Sequence, residues 1–524
     1  MSAKQRYDRL SSDRSQFLNT ARRAAELTLP YLVREDESYT KGNKTLITPW
    51  QSVGAKGVVT LASKLMLALL PPQTSFFKLQ VNDINLGEEL GPEIRSELDL
   101  SFAKIERTIM ESIAASGDRV VVHQALKHLV VAGNALIFMG KEGLKLYPLN
   151  RYAVDRDGNG NVIEIVTKET ISKKLVKKFY PDYKQPSTNS TSDDSSYRDD
   201  ECDIYTHVVR DNNRWVWHQE IDGNILPRSV SKAPLDANPW LVLRFNHVDG
   251  EVYGRGRVEE FIGDLKSLEA LSQAIIEGSA AAAKVVFTVS PSSTTKPATL
   301  AKAGNGAIIQ GRPDDIGVVQ VGKTADFQTA YQMIGSLTQR LNEAFLVLNV
   351  RDSERTTAEE VRMTQLELEQ QLGGLFSLLT VEFLVPYLNR KLNVAQKTGE
   401  IPRLPKGDIV KPTIVAGINA LGRGQDRESL AQFMTVIAQT IGPEAIQQFI
   451  NTDEVIKRLA ASSGIDVLNL VKSMEERQAE EQQAMGQQQQ MMAMQQEPQM
   501  AAIDQKREQA AMQMMQQQPP LPPE

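Results

Sequence analysis

The chain has 524 residues, 41% hydrophobic and 24% charged, a composition suited to a globular protein large enough for several domains. Its net charge of −6 argues against a broad basic face that grips nucleic acid. A single cysteine, Cys202, excludes an internal disulfide and suits a reducing compartment. The N-terminal MSAKQRYDRLSSDRSQFL lacks the apolar core of a signal peptide, and the runs Val58–Leu70 and Leu129–Met139 are too short to span a bilayer.

In chain order, Tyr7, Leu10, Arg14, Phe17, Leu18, Ala21 and Ala25 share one face of a helix that should stop before Pro30. A mixed α/β region follows to about residue 250. The spacing predicts helices near 55–70, 94–116 and 119–131, then strands near 135–139, 152–154, 162–167, 204–210, 214–220 and 240–245. The Ser- and Asp-rich stretch 182–200 reads as a mobile surface loop.

From Val258 to Lys284 the three-and-four spacing of Val258, Phe261, Ile262, Leu265, Leu268, Leu271 and Ile275 predicts a helix. A strand-rich excursion, 285–327, carries VVFTV, GAIIQ and GVVQV between turns. A second helix, 328–348, uses Tyr331, Ile334, Leu337, Leu341, Ala344, Phe345 and Leu348. After NVRDSERT, either Thr356 or Thr357 could cap a long helix running toward Pro386. Small helices follow near 427–441, 443–449 and 453–461. Past about Met474 the chain is dominated by Gln, Met and Ala, which suits either a helix to about Gln509 or a low-complexity tail.

Three patterns invite chemistry. Gly317–Thr324, GVVQVGKT, matches the phosphate-loop formula, but its valines prefer extended backbone to an amide nest. Asp155–Gly160 opens like a calcium loop, yet position twelve is Val166 and strands flank it, so a hairpin turn explains it better. His123 and His128 lie five apart on different helical faces, and His207, His218 and His247 fall in separate segments, so structural roles are preferred to metal binding. Neither a cofactor nor a catalytic constellation is expected.

Several longer words occur together: TPWQSVGAKGVVTLASKLMLALLPP (48–72), LVVAGNALIF (129–138), RDGNGNVIEIVT (156–167) and DGEVYGRGRVEEFIGDLKSLEALSQAI (249–275). GRPDDI (311–316), TAEEVRMTQLELEQQLGGLFSLLTVEFLVP (357–386) and GRGQD (422–426) follow. In this order they resemble the portal, or head-to-tail connector, proteins of short-tailed bacteriophages, from about Tyr7 to about Leu470.

The resemblance implies an α+β portal fold. It divides the chain into a wing (1–257), stem helices (258–284 and 328–348), a small α/β clip (285–327), a tunnel loop (349–356), a long helix returning over the wing (357–420) and a crown (421–475), with the tail (476–524) as barrel helix or disordered end. It further implies a dodecameric ring at one capsid vertex, passing double-stranded DNA inward at packaging and outward at ejection. The partners it implies are terminase, then tail adaptor and tail tube proteins, with major capsid and scaffolding proteins around the ring. Assembly would take place in the host cytoplasm.

On this resemblance Arg351, Asp352, Glu354 and Arg355 fall in the tunnel loop, where the arginines would touch phosphates without reading bases. Ion pairing of these four among themselves fits equally. Glu259, Glu260, Asp264, Lys266, Glu269 and Glu277 are the candidates for a bore-facing stem surface, where acids would repel DNA and let it slide. An ordinary solvated face explains them as well. Lys296, Lys302, Arg312 and Lys323 are the candidate docking charges of the clip.

Overall fold

A computed structural model describes residues 1–34, 47–72, 75–81, 92–181, 183, 201–282, 286–304, 306–319, 324–347, 373–403, 410–414, 423–440, 455, 507–510 and 512. The chain divides into two units, Met1–Gly422 and Arg423–Glu524.

The first unit begins with α1 (Ala3–Glu26). Ser2 and Gln5 close a capping box: the Ser2 hydroxyl accepts from the Gln5 amide, and the Gln5 side chain accepts from the Ser2 amide. Tyr7, Leu10, Arg14, Leu18, Ala21 and Ala25 are buried along one side, as the spacing predicts. Next come α2 (Val53–Leu69), β1 (Phe77–Val81), α3 (Pro92–Ala115) and α4 (Asp118–Ala132). α4 ends at Gly133, whose φ of 73° is the left-handed conformation glycine adopts without a Cβ penalty. A Cβ there would sit 2.5 Å from the backbone carbon of Arg255, so the YGRGR word marks a close backbone crossing. Asn134 fastens the same crossing, donating to the Gly254 carbonyl at 2.7 Å and accepting from its amide at 2.8 Å.

β2 (Asn134–Gly140) is the middle strand of an antiparallel sheet, between β3 (Gly143–Tyr147) and β10 (Trp240–Arg244). A six-stranded antiparallel sheet holds β4 (Tyr152–Arg156), β5 (Val162–Ser172), β6 (Glu201–Asp211), β7 (Arg214–Ile221) and β8 (Asn224–Ile225), with β9 (Ser231–Pro234) also on β7. Alternation along β6 sorts its faces. Tyr205 packs with Tyr7 and Leu10 under α1, while Val208 joins the main core and Ile204 meets Val176 of a short helix, α5 (Lys173–Phe179). The main core gathers Leu61, Leu65, Ile109, Leu126, Leu129, Leu136, Leu241 and Tyr387, among others.

The predicted helix over 258–284 is split. α6 (Arg257–Glu260) ends at Phe261 and α7 runs Ile262–Ala282. The excursion contains β11 (Val286–Val289), α8 (Pro297–Lys302) and β12 (Ile316–Val319), with β11 and β12 antiparallel. GAIIQ is not a strand: it has no ladder partner among the described residues, and Ile308 is fully exposed. α9 runs Thr324–Ala344, starting earlier than expected. Its buried stripe is Leu337, Leu341 and Ala344, but Tyr331, expected on that face, is 73% exposed.

Pro386 does not stop its helix. Residues 373–379 are α-helical, Thr380–Leu384 form a π turn, and α10 (Val385–Thr398) carries Pro386 in its first turn. Proline cannot donate to the carbonyl of residue 382, and the widened π turn just before it absorbs that missing bond. β13 (Val410–Ile414) then pairs antiparallel with β1. Neither of these two strands was anticipated.

In the second unit, α11 spans Arg423–Thr440, slightly earlier than the predicted 427–441. Helix is also assigned at 507–510 and 512, within the tail. Outside the described residues lie the expected loop over 182–200 apart from Tyr183, the tunnel loop 349–356, the capping threonines 356 and 357, the helix at 443–449 and all but position 455 of that at 453–461. Among the described residues no helix is long and apolar enough to cross a membrane.

Candidate functional site

α7 and α9 stand side by side and antiparallel. Near one end Arg340 Nη2 lies 3.4 Å from Asp264 Oδ1; toward the other a Cβ on Gly278 would meet the Phe327 ring at 2.7 Å. Fourteen residues of α-helix separate Asp264 from Gly278, about 21 Å of paired length. The β11–β12 hairpin is carried between the far ends of the two helices. At the near end Leu265, Leu268, Leu337, Leu341 and Phe345 join the main core. Gly57 on α2 admits the Phe345 ring, which a Cβ would strike at 2.7 Å.

Polar contacts tie this helix pair to the body. Glu269 accepts from the Trp50 amide at 2.8 Å and the Gln51 amide at 3.4 Å, just ahead of α2. Arg257 Nε donates to the Ala344 carbonyl at 3.2 Å, and Lys64 Nζ to the Leu346 carbonyl at 2.5 Å. Desolvation lowers the Lys64 ammonium from its ordinary range. A cleft of about 380 Å³ opens beside this junction, lined by Leu61, His247, Arg257, Leu346 and Leu375 among others.

The six candidate stem residues are therefore not equivalent. Glu259 pairs with Arg255 at 2.6 Å and Glu260 with Arg257 at 2.7 Å. Hydrogen bonding to Glu251 raises the Arg255 guanidinium, and the same contact lowers the Glu251 carboxyl. Asp264 meets Arg340, Glu269 is committed to backbone amides, Glu277 accepts from Gln273 at 2.9 Å, and Lys266 is exposed. Only a folded chain reveals the Glu269 contact, since its partners lie far upstream.

In the excursion, Lys296 precedes α8, Lys302 ends it, and Arg312 opens a 3₁₀ turn; all three are exposed. Lys323 and the residues expected in a tunnel loop, Arg351, Asp352, Glu354 and Arg355, lie outside the described residues. Gly317 of the phosphate-loop formula sits within β12, opposite Thr288, so the pattern begins as paired strand. Thr324, its last residue, opens α9.

The calcium-like pattern is a hairpin turn between β4 and β5. Asp157 accepts from the Asn161 side chain at 3.0 Å and from the amides of Asn159 at 3.0 Å and Asn161 at 2.7 Å, which holds its carboxyl below the usual range. Among the described residues no group of three or more His, Cys, Asp or Glu side chains is placed to hold a metal ion. His207 and His218, remote in sequence, are cross-strand partners with ring centroids 5.4 Å apart. Each binds a carboxylate that also holds α1. His207 meets Glu164 at 2.7 Å, which takes Arg6 at 2.6 Å; His218 meets Glu220 at 2.9 Å, which takes the Ala3 amide at 2.6 Å. Nothing in the spacing marks this cluster, because register alone assembles it. Burial raises the Cys202 thiol.

A family model described as bacteriophage head to tail connecting protein matches residues 1–471. The portal protein of Enterobacteria phage T3 is 37% identical over 487 residues, covering 91% of this chain and 89% of that protein. The portal protein of Escherichia phage T7 is 36% identical with the same coverage, and that of Enterobacteria phage SP6 is 31% identical over 92% of each chain. Among solved structures, the neck of an empty gene transfer agent particle matches with 11% identity and a TM-score of 0.37, over 78% of this chain and 89% of that one. With residues 1–471 matched and portal proteins similar over nine-tenths of its length, the chain belongs to the bacteriophage head-to-tail connecting protein family.

Proposed function

We propose that this chain is a portal subunit that closes, with copies of itself, into a ring at one capsid vertex. Double-stranded DNA enters through the ring at packaging and leaves through it at ejection. Family membership carries this reading. Within the molecule it is supported by one arrangement: an antiparallel helix pair rooted in an α/β body and holding a small hairpin module at its far end.

On this reading residues 1–257 are the wing, 258–284 and 328–348 the stem, 285–327 the clip, 349–356 the tunnel loop, 357–420 the long helix and its return, 421–475 the crown and 476–524 the tail. The ring is dodecameric. The clip offers Lys296, Lys302, Arg312 and Lys323 first to terminase and later to tail adaptor and tail tube proteins. Arg351 and Arg355 make sequence-blind phosphate contacts beside Asp352 and Glu354 in the bore. Capsid and scaffolding proteins surround the wing. The chain assembles in host cytoplasm and ends in the virion.

Its contribution is shape, a bore with little affinity for its cargo, and a symmetric docking face, with no catalytic step or cofactor. A net charge of −6 per subunit suits such a bore, because each neutralised phosphate would add counterion-release affinity. Negative-stain images of the purified protein test this: end-on views should be rings with a central hole, and a uniformly monomeric sample refutes it. Magnesium-dependent ATP turnover abolished by Lys323→Ala would instead make the chain a motor subunit.

A further inference from the structure

Trp50 stands exposed where the α7–α9 pair is rooted in the body. It keeps 46% of its surface, and Ile47, three residues earlier, keeps 69%. The backbone beneath it is fixed. Glu269 of α7 accepts from the Trp50 amide at 2.8 Å. The next side chain, Gln51, donates to the Leu27 carbonyl at 2.7 Å and accepts from the Gly54 amide at 2.9 Å. A lone exposed aliphatic residue needs no explanation, but a large ring on a clamped backbone loses little further freedom when a partner covers it. Anchors of this kind carry much of the energy of a protein contact.

The cleft of about 380 Å³ beside the same junction is the complementary shape. Leu61, Phe245, Leu346, Leu375 and Leu378 give it apolar walls, and its volume is that of pockets that take a compact ring system. Gly374 also lines it, and a Cβ there would meet nothing within 4 Å. One acceptor in the lining has room for a donor. Glu260 Oε2 takes Arg257 Nη1 at 2.7 Å, whereas among the described residues Oε1 receives Asn246 Nδ2 alone, at 3.5 Å. A buried indole needs such a partner for its N–H. Trp50 is not in this lining, and Leu61 lies more than two turns into α2 beyond it, so the ring and the cleft are separate features of one chain.

A closed ring is built from head-to-tail contacts, in which one patch of each copy meets a different patch of the next. Rotation about the ring axis keeps height, so with the stem along that axis the two patches must share a level. Trp50, on Glu269, and the cleft, at Arg257, Glu260 and the end of α9, both belong to the rooted end of the helix pair. Tyr331, though 73% exposed, lies toward the hairpin end and does not meet this condition. We infer that Trp50 of one copy seats in the Leu61–Gly374–Leu378 cleft of the next, its indole N–H donated to Glu260, and that this contact closes the ring at the stem root. The inference rests on the ring reading and assigns residues to it.

Purified full-length protein is followed by mass photometry across a concentration series. Trp50→Ala removes an exposed side chain, so the subunit should stay folded by circular dichroism while ring closure needs about tenfold more protein or beyond. Gly374→Trp fills the cleft and should act alike, whereas Gly374→Ser leaves it open and should close like the parent. Mixed where neither assembles alone, Trp50→Ala and Gly374→Trp should form pairs but no rings, because each pair holds one intact seat and every further contact lacks both parts. The tryptophan emission that Trp50→Phe removes should move to shorter wavelength as the parent assembles. Trp50→Ala closing at the parent's concentration, or folded variants that fail to pair when mixed, overturn the inference. Closure blocked by Gly374→Trp but not by Trp50→Ala gives the cleft to another element and overturns it too. A parent chain that stays monomeric refutes the ring reading itself, and this seat with it.

Discussion

Lys64 Nζ on α2 donates to the carbonyl oxygen of Leu346 at 2.5 Å, immediately beyond the end of α9. That end is a Schellman cap: the Val347 amide reaches the Asn342 carbonyl at 2.7 Å and the Leu346 amide reaches Glu343 at 3.0 Å. Such caps normally place glycine in the left-handed position, but here Leu346 takes φ 56°, a conformation costing about 1–2 kcal/mol in a residue with a Cβ. Lys64 on Leu346 and Arg257 on Ala344 hold this strained terminus against the body.

Lys64→Met keeps the aliphatic stem and removes the donor. It should cost about 1–3 kcal/mol, the range for a hydrogen bond from a charged group. Hydrogen exchange at the amides of 342–347 should accelerate while α1 stays protected. Leu346→Gly relieves the strain at the same cap and should cost less than Lys64→Met in the same thermal melt.

Gly57 and Gly263 should respond oppositely to alanine. A Cβ at Gly57 would lie 2.7–2.9 Å from atoms of Phe345, whereas nothing lies within 4 Å of one at Gly263. Gly57→Ala must push α2 from α9 and should destabilise by about 1–3 kcal/mol. Gly263→Ala, in the first turn of α7, should gain up to about 1 kcal/mol from helix propensity. Denaturant midpoints of the two variants against the parent chain check both signs.

These contacts mark what the sequence can and cannot convey. α1 was legible because Tyr7, Leu10, Arg14 and Leu18 repeat at helical spacing and are buried at it. The pairing of Phe77–Val81 with Val410–Ile414 was not, because its partners lie at opposite ends of the unit. GAIIQ has strand composition but no neighbour among the described residues to complete a ladder, so propensity alone misleads there. The π turn that accommodates Pro386 within its helix has no local signature. Of the candidate stem acids, Glu269 looked like its neighbours until the fold set it on the Trp50 amide.

Acid should loosen the seat of α1 through Glu164. Burial pushes this carboxyl up, but hydrogen bonds from His207 and Arg6 outweigh it and bring it to about 2, against 4.5 for an ordinary glutamate. The folded value is depressed, so the stabilisation is complete above about 4.5 and is lost as pH falls toward 2. The stake is on the order of 2–3 kcal/mol. Proteolysis of the N-terminal helix across this window should accelerate in the parent chain and lose that pH dependence in Glu164→Gln.

His128 sets a second acid limit at higher pH. Burial holds its imidazole down to about 4 from 6.5, and its Nδ1 has no hydrogen-bond partner among the described residues. The unfolded chain takes up this proton first, so stability falls as pH drops from about 6.5 toward 4. His128→Leu should flatten the melting temperature over that interval and leave it little changed at pH 8. An unaltered pH profile would place the acid sensitivity elsewhere.

Glu269→Gln and Glu277→Gln separate a fastening role from a bore-lining one. Glu269 accepts two backbone amides ahead of α2, where a carboxylate also favours the helix N-terminus. Neutralising it should lower stability by about 1–2 kcal/mol. Among the described residues Glu277 accepts only from Gln273 on its own helix, and it is exposed, so its substitution should leave the melt within about 0.5 kcal/mol of the parent. If acidic stem residues keep duplex DNA sliding, Glu277→Gln rings should retain a short duplex more strongly than the parent at low salt, and the difference should vanish as salt is raised. Retention unchanged in Glu277→Gln, together with a destabilised Glu269→Gln, would assign the stem acids to holding the fold and remove them from the channel.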